Sequence, residues 1–296
     1  MFDYLYLGLY RIFSFLLWVL PDGAIRVTMK CLAWLAYTFS FKHKKIINDN
    51  LDLAFEYSLS KKDKKEIGVH SFMNLVDTVF GIIKRDGMDK DEVLKNIYFE
   101  GEEIVQKQKQ EGKSIIFITG HQGNWELLSQ SIAIKFDMLL VGIGRKLDSK
   151  IMNSILKINR EQFNVKMLYK KGAMKGCIKA LSRGDSIGIL VDQAIRKNQS
   201  INVKFFKHEA THTALASILS RKYNIELIPA FINTDDYINY HVKIYEPLAF
   251  IKTDNQEKDL ALLTQLQANI MEKAIREHPR QWFWMHRRWK GFENEV

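Results

Sequence analysis

A chain of 296 residues, 47% of them hydrophobic, can bury roughly three quarters of its unfolded surface, which excludes a disordered chain and fits one large domain with or without an appendage. Its 44 lysines and arginines against 34 aspartates and glutamates leave a net charge of +10, so an anionic partner is expected: nucleic acid, acidic lipid or a phosphorylated substrate. The four prolines, with no repeated or Gly/Ser-rich segment, leave no linker between independent units, and Cys31 and Cys177 read as buried, reduced cytosolic thiols rather than a disulfide framework.

The chain opens on an apolar run over residues 4–20 with Arg11 near its middle. A bilayer core about 30 Å thick asks for roughly 20 apolar residues and penalises a central arginine, so an interfacial or re-entrant anchor is expected in preference to a span. Asp3 in place of a basic start, and Pro21-Asp22-Gly23 in place of a small-residue cleavage site, argue against a removable signal peptide. The following stretch, "AIRVTMKCLAWLAYTFSF", interleaves Arg26 and Lys30 with large apolar residues, and "KHKK" follows at 42–45. Basic residues beside an amphipathic element suit an anionic leaflet. Residues 1–41 are therefore expected to form a membrane-anchoring segment and residues 42–296 a single α/β domain; a buried first helix is the alternative.

The pattern then stays helical to about residue 112. Ser60 and Asp63 resemble an N-cap pair before a long amphipathic segment on which His70 reads as a packing residue. From residue 114 short β-like runs appear: "SIIFIT", "MLLVGI", "VKMLY", "SIGILV", "INVKFF", "IELIPAFI" and "YHVKIY". Helical segments separate most of them, which predicts an α/β fold with a central mixed sheet of about seven strands flanked by helices. A closing helix is expected over residues 255–278.

Candidate chemistry gathers at "ITGHQGNWELL", residues 118–128. The run "SIIFIT" ends at Gly120 and Asn124 suits the cap of the next helix, so His121 falls in the turn beyond a strand's carboxyl end, where ligands of open α/β sheets bind. Glu126, in the first helical turn, can fold back and accept a hydrogen bond from one ring nitrogen. The other nitrogen is then free to withdraw a proton. That is two thirds of a hydrolase triad without a protein nucleophile, so the missing hydroxyl can come from a substrate. The plain alternative is a glutamate favourably placed in the helix dipole.

"GDSIG" at 184–188 fits G-x-S-x-G, but a helix ends at Gly184 and a strand follows, the reverse of a nucleophile elbow, so Ser186 should point into the sheet. The chain has no H-E-x-x-H, clustered Cys/His set, P-loop or G-x-G-x-x-G motif, and the His208/His212 pair has no third candidate ligand beside it.

Several segments in order carry more. "GHQGNWELL", "GRKLDSKIMNSILKINRE", "KGAMKGCIKALSRGDSIGILVDQ", "VKFFKHEATHTALASIL" and "HPRQWFWMHRRWK" together resemble the lipid A biosynthesis acyltransferases, the late acyltransferases of the lysophospholipid acyltransferase superfamily, over nearly the whole chain. The resemblance implies an O-acyltransferase at the cytoplasmic face of the bacterial inner membrane. It would move a fatty acyl chain from acyl carrier protein to a hydroxyl of a lipid A precursor, with no cofactor beyond that donor. The superfamily's H-x4-D/E motif falls on His121 and Glu126 as general base and orienting carboxylate. Arg145, Arg160 and Asp192 fall at positions expected to bind substrate, with Asn124 beside them; structural salt bridging by the two arginines, and Asp192 as a structural partner that orients a backbone or an arginine, are the alternatives.

The chain departs from the family pattern after Arg145, where "LDSK" replaces an Asn-Pro, and at Lys207, where a glycine often follows "FF". The oxyanion of thioester attack is expected on backbone amides near residues 120–123. "WMHRRWK" suits a lipid interface, with Trp284 and Trp289 interleaved among Arg287, Arg288 and Lys290; a solvated helix end is the alternative. Part of the basic charge suits an acidic carrier protein and part the acceptor's phosphates. Two other readings are an acyltransferase on a lysophospholipid or other glycolipid, with acyl-CoA as a possible donor, and a basic nucleic-acid-binding protein, which has no recognition motif here.

Overall fold

The computed structural model describes residues 2–196 and 200–292. Helices come first: α1 (Phe2–Val19), α2 (Asp22–Phe39), α3 (Phe41–Ala54), the long α4 (Lys61–Lys84) and the short α5 (Lys90–Leu94). At the start of α4 the Ser60 hydroxyl accepts from the Asp63 amide while the Asp63 carboxylate accepts from the Ser60 amide, the reciprocal cap expected from the sequence. Strands and helices then alternate as β1 (Ile97–Glu100), α6 (Glu102–Gln110), β2 (Ile116–Thr119), α7 (Trp125–Lys135), β3 (Leu140–Gly144), α8 (Lys150–Arg160), β4 (Val165–Tyr169), α9 (Ala173–Leu181) and β5 (Ser186–Leu190). A hairpin of β6 (Ser200–Phe205) and β7 (His208–Thr213) leads to α10 (Leu215–Tyr223), β8 (Leu227–Asn233), β9 (Tyr240–Ile244) and the closing α11 (Gln256–Glu277).

The central sheet has seven strands in the order β1-β9-β8-β2-β5-β3-β4. It is mixed, as expected, because β8 and β9 run antiparallel while the other neighbours are parallel. Its membership differs from the sequence reading in one strand. "INVKFF" forms β6 of the separate hairpin, and the seventh place goes to β1, in a stretch whose pattern reads as helical. β1 is four residues long, alternately half-buried and exposed at the sheet edge, too short for its period to register. β7, "HEATHT", carries little apolar signal; Ala210, Thr211 and His212 are buried by what packs on them.

β2 shows how the core is layered. Ile116 and Ile118 face a cluster with Met271, Trp282 and Trp284, while Ile115 and Phe117 face Leu127, Leu128 and Ile132 of α7, the alternation of a strand buried on both faces. The segment after α11 completes the first layer. Trp282, Trp284 and Trp289 and the Arg288 side chain are at most 2% exposed. The indoles pack edge-on or tilted against Phe205 and Phe206, and Trp289 donates to the Phe205 carbonyl at 3.2 Å. The expected lipid-facing tail is therefore corrected: only Arg287 and Lys290 of that basic set reach solvent.

Among the described residues no helix is long and apolar enough to cross a membrane, so helix length and apolarity give no support to the anchor expected over residues 1–41. α1 and α2 are instead amphipathic. Leu17, Ile25 and Met29 pack on Phe80 of α4, while Leu5, Leu9, Ile12, Phe15, Trp18, Trp34 and Phe39 face outward. Cys177 is buried as expected, but Cys31 lies on the exposed side of α2.

Candidate active site

β2 delivers the chain to its carboxyl edge, and the turn that follows is tightly specified. Gly123 has φ +53°, and a Cβ there would sit 2.3 Å from the Ile232 carbonyl oxygen, so the turn requires glycine. The loop is clamped to the segment after α11: the Gly123 amide donates to the Gln281 carbonyl at 2.8 Å and the Phe283 amide to the His121 carbonyl at 2.9 Å. Asn124 then caps α7, its Oδ1 accepting from the Leu127 amide at 3.1 Å, as the sequence predicts. Its Nδ2 donates to Asp77 Oδ2 at 2.9 Å. With both ends of its amide committed and 1% of its surface exposed, Asn124 supports the turn and is not available as the substrate contact expected of it.

His121 pairs with Asp192, not with Glu126. Its Nδ1 lies 2.8 Å from Asp192 Oδ1, and its backbone amide donates to Asp192 Oδ2 at 2.8 Å. Trp282 Nε1 donates to the same Oδ2 at 2.8 Å. Register explains the partnership. β2 and β5 are parallel neighbours with Thr119 opposite Leu190, so the residues two beyond each strand end meet side by side. Burial alone would raise the Asp192 carboxyl, but the opposing His121 charge and the donors from His121 and Trp282 outweigh it and hold the group well below the usual carboxylate range. When the ring is neutral, an ionised Asp192 keeps the His121 proton on Nδ1 and leaves Nε2 as an acceptor.

Glu126 points away, toward α8. Arg160 grips it with two parallel donors, Nε to Oε2 at 2.8 Å and Nη2 to Oε1, the fork geometry that suits guanidinium and carboxylate. Burial depresses Arg160, but the Glu126 bonds overcome that and raise it. The His121 ring therefore has Asp192 and not Glu126 as its carboxylate partner, and Arg160 is paired with Glu126. Arg145 is 79% exposed and pairs loosely with Asp148 at 3.6 Å, outside this cluster. Ser186 is buried and accepts from the Ile115 amide at 3.1 Å, pointing into the sheet as expected.

Four residues in the surroundings of His121 carry no assignment from the sequence. Gln193 brings its side-chain nitrogen to 3.3 Å from His121 Nε2. Trp125 and Phe283 set ring centroids at 5.1 and 6.1 Å from the imidazole. His286 Nε2 accepts from the Ala194 amide at 2.8 Å and so pins the loop that carries Asp192 and Gln193; burial pushes this histidine down to about 4. Of the amides expected to form an oxyanion hole three are taken: His121 by Asp192, and Gln122 and Gly123 by the Gly120 and Gln281 carbonyls.

A largely apolar pocket of about 80 Å³ lies between the sheet and α7, with Trp125, Glu126 and Arg160 in its wall. Phe117, Leu128, Ile132, Leu140 and Met167 line it, and Gly142, Gly144 and Gly188 leave room on the strand side. Trp125 joins the two regions, facing the imidazole with one contact and the pocket with another. A base whose acceptor nitrogen is covered only by the Gln193 side chain, beside a narrow apolar slot, can activate a hydroxyl against a carbonyl whose chain lies in the slot once Gln193 turns away.

The chain resembles known proteins along nearly its full length. It is 26% identical over 268 residues to the lipid A biosynthesis lauroyltransferase of Escherichia coli K12, covering 88% of this chain and 83% of that one. It is 22% identical over 280 residues to the palmitoleoyltransferase of the same strain, covering 93% and 88%. With a lipid A biosynthesis acyltransferase of Haemophilus influenzae it shares 21% over 264 residues, covering 88% and 79%. The family described as bacterial lipid A biosynthesis acyltransferase matches residues 1–291, so this chain belongs to that family of O-acyltransferases, with a lipid A precursor as the acceptor the family implies.

Proposed function

We propose that this protein moves a fatty acyl chain from an acyl carrier protein thioester to a hydroxyl of a lipid A precursor, at the cytoplasmic face of the inner membrane, with His121 as general base and Asp192 as its orienting carboxylate. The observation that carries the chemistry is the two-point hold of Asp192 on His121, through ring and backbone amide at 2.8 Å each. It fixes the ring so that Nε2 takes the acceptor hydroxyl's proton as the oxygen attacks the thioester carbon. Collapse of the tetrahedral intermediate breaks the C–S bond, and the imidazolium returns the proton to the departing thiolate. No covalent acyl-enzyme is needed.

The oxyanion needs a donor, and the Gln193 side-chain amide, within reach of Nε2, supplies it by turning from the imidazole to the substrate. The acyl chain enters the slot beside Trp125, whose far wall is held by the Glu126–Arg160 pair. Basic charge in excess by 10 steers an acidic carrier protein. Residues 1–41, with the outward face of α1 and α2, rest on the bilayer surface rather than crossing it.

Purified protein, acyl carrier protein thioesters of several chain lengths and a tetra-acylated precursor, read out by product mass, test this function. His121→Ala should lower turnover by about 10²–10⁴-fold with an unchanged circular dichroism spectrum. Normal transfer by that variant refutes the assignment.

A further inference from the structure

A second cavity, of about 200 Å³, lies on the other face of α7, lined by α2, the end of α4, residues 92–97 and the loop before β9. No residue lines both cavities. Its floor is Arg85, whose side chain is 6% exposed and whose Nε donates to Gln130 at 2.7 Å. No carboxylate among the described residues forms an ion pair with Arg85; burial lowers its affinity for its proton, and Asp77, Glu126 and Tyr240 offset that only from a distance. Gly81 makes room for it: a Cβ there would lie 2.5 Å from Arg85 Nη1 and 2.8 Å from Asn124 Nδ2. Glycine inside a helix costs about 1 kcal/mol against alanine, and here it clears the space in which the guanidinium sits.

Charge around that floor is unevenly spent. Four cations line the cavity, Arg26, Lys84, Arg85 and Lys95, with three carboxylates, Asp22, Asp77 and Glu92. Lys84 and Asp22 neutralise each other at 2.6 Å. Asp77 already accepts from Tyr240 and Asn124, at 2.8 and 2.9 Å, and burial raises it to about 6. Glu92 accepts from the Asp89 amide in the cap of α5. Arg26 Nε is buried without an acceptor, an arrangement that is costly unless a ligand supplies one. The lining as a whole keeps an excess of one positive charge, and among the described residues Arg26, Arg85 and Lys95 form no ion pair with a carboxylate. Beside the cavity runs a cleft of about 480 Å³ with a mixed wall, Leu17, Trp18, Leu20, Pro21 and Ile83 on its apolar side and Ser14 and Asp86 on its polar side, which shares Asp22, Lys84 and Met88 with the cavity. The cleft opens among the outward apolar residues of α1.

We propose that this cavity and cleft form a second binding site, separate from the His121 centre, for a phosphorylated amphiphile: Arg85, Arg26 and Lys95 hold the phosphate and the α1–α4 cleft takes the adjoining hydrocarbon. A planar guanidinium fork suits phosphate oxygens, and burial of the floor makes each such bond stronger than at the surface. The site does not depend on the acyl-transfer reading, because it is defined by binding alone.

Calorimetric titration of the full chain in non-ionic detergent tests it with three probes: dihexanoyl phosphatidic acid, dihexanoyl phosphatidylcholine and inorganic phosphate. Wild type should bind the phosphatidic acid in preference to both others. Arg26→Gln and Lys95→Gln should each weaken it about tenfold, the loss expected for one charge-assisted hydrogen bond, with thermal unfolding unchanged. Gly81→Ala, which displaces Arg85, should weaken it as well. Equal binding of phosphatidylcholine, or full affinity in the Arg26 and Lys95 variants, overturns the phosphate site. Inorganic phosphate binding as tightly as the phosphatidic acid overturns the amphiphile and leaves a site for the free ion.

Discussion

At the scale of single residues, the His121–Asp192 pair makes a sharper prediction than the loss of the imidazole. Asn at 192 keeps the shape of the carboxylate but can present an N–H to His121 Nδ1, which drives the proton to Nε2 and removes the acceptor. Asp192→Asn should therefore cost turnover on the order of 10²–10⁴-fold. Combined with His121→Ala it should cost little more than either change alone, because the two side chains act as one unit. Steady-state rates of both single variants and the double variant decide this; additive losses would separate Asp192 from the base.

Behind the pair, His212 is fully buried and its Nδ1 accepts from Arg288 Nη2 at 3.1 Å, so it is held neutral. Burial first, and Arg288 second, push it down to about 3. A histidine depressed in the folded state contributes stability that is complete above its unfolded value of about 6.5 and drains away as pH falls toward the folded value. Between pH 7 and pH 5 the linkage amounts to about 2 kcal/mol. Urea unfolding at the two pH values should show wild type losing about that much more than His212→Asn.

Among elements, the strands that wall the apolar slot would decide how far an acyl chain could enter it if it binds there as proposed. Gly188 on β5 is the open point: a Cβ there would meet nothing nearer than Leu140 at 3.9 Å. Gly188→Val should fold normally and fill part of the slot. In the mixed-donor assay its products should shift to shorter acyl chains at similar total turnover, seen directly as product mass. Gly142 and Gly144 are poorer choices for this experiment, since a Cβ at either already lies 3.0–3.1 Å from Met167. The Glu126–Arg160 pair acts at this scale too, tying the first turn of α7 to the last turn of α8 across the slot.

For the whole molecule, the proposed membrane contact rests on the outward face of the first two helices. Trp18 is 82% exposed and Phe39 69%, and no described helix is fit to cross a membrane. On the proposed function such a surface would lie in the headgroup region, with its large apolar side chains inserted and basic residues beside acidic lipid. Flotation with phosphatidylglycerol-containing vesicles should recover the wild type. Trp18→Glu should reduce the bound fraction, with the partition coefficient falling on the order of tenfold or more for an inserted ring replaced by a charge.

Local chemistry was enough to specify the cap at Ser60, the helix start at Asn124, the Ser186 strand and the closing helix, because each depends on neighbours a few residues away. Family resemblance pointed to the acyltransferase chemistry and to His121. Where a side chain's partner comes from a distant strand, sequence spacing misled: Glu126 is five positions from His121 and faces elsewhere, while Asp192, 71 positions away, is its neighbour. The cause is parallel pairing of β2 with β5, which places two strand ends abreast without leaving a periodic trace. The C-terminal tryptophans were misread for the same reason, since an aromatic–basic pattern is common to a lipid interface and to a core, and only packing against Phe205 and Phe206 separates them. Composition and short-range patterning are properties of the chain itself, whereas strand register and burial exist only once distant segments have been brought together.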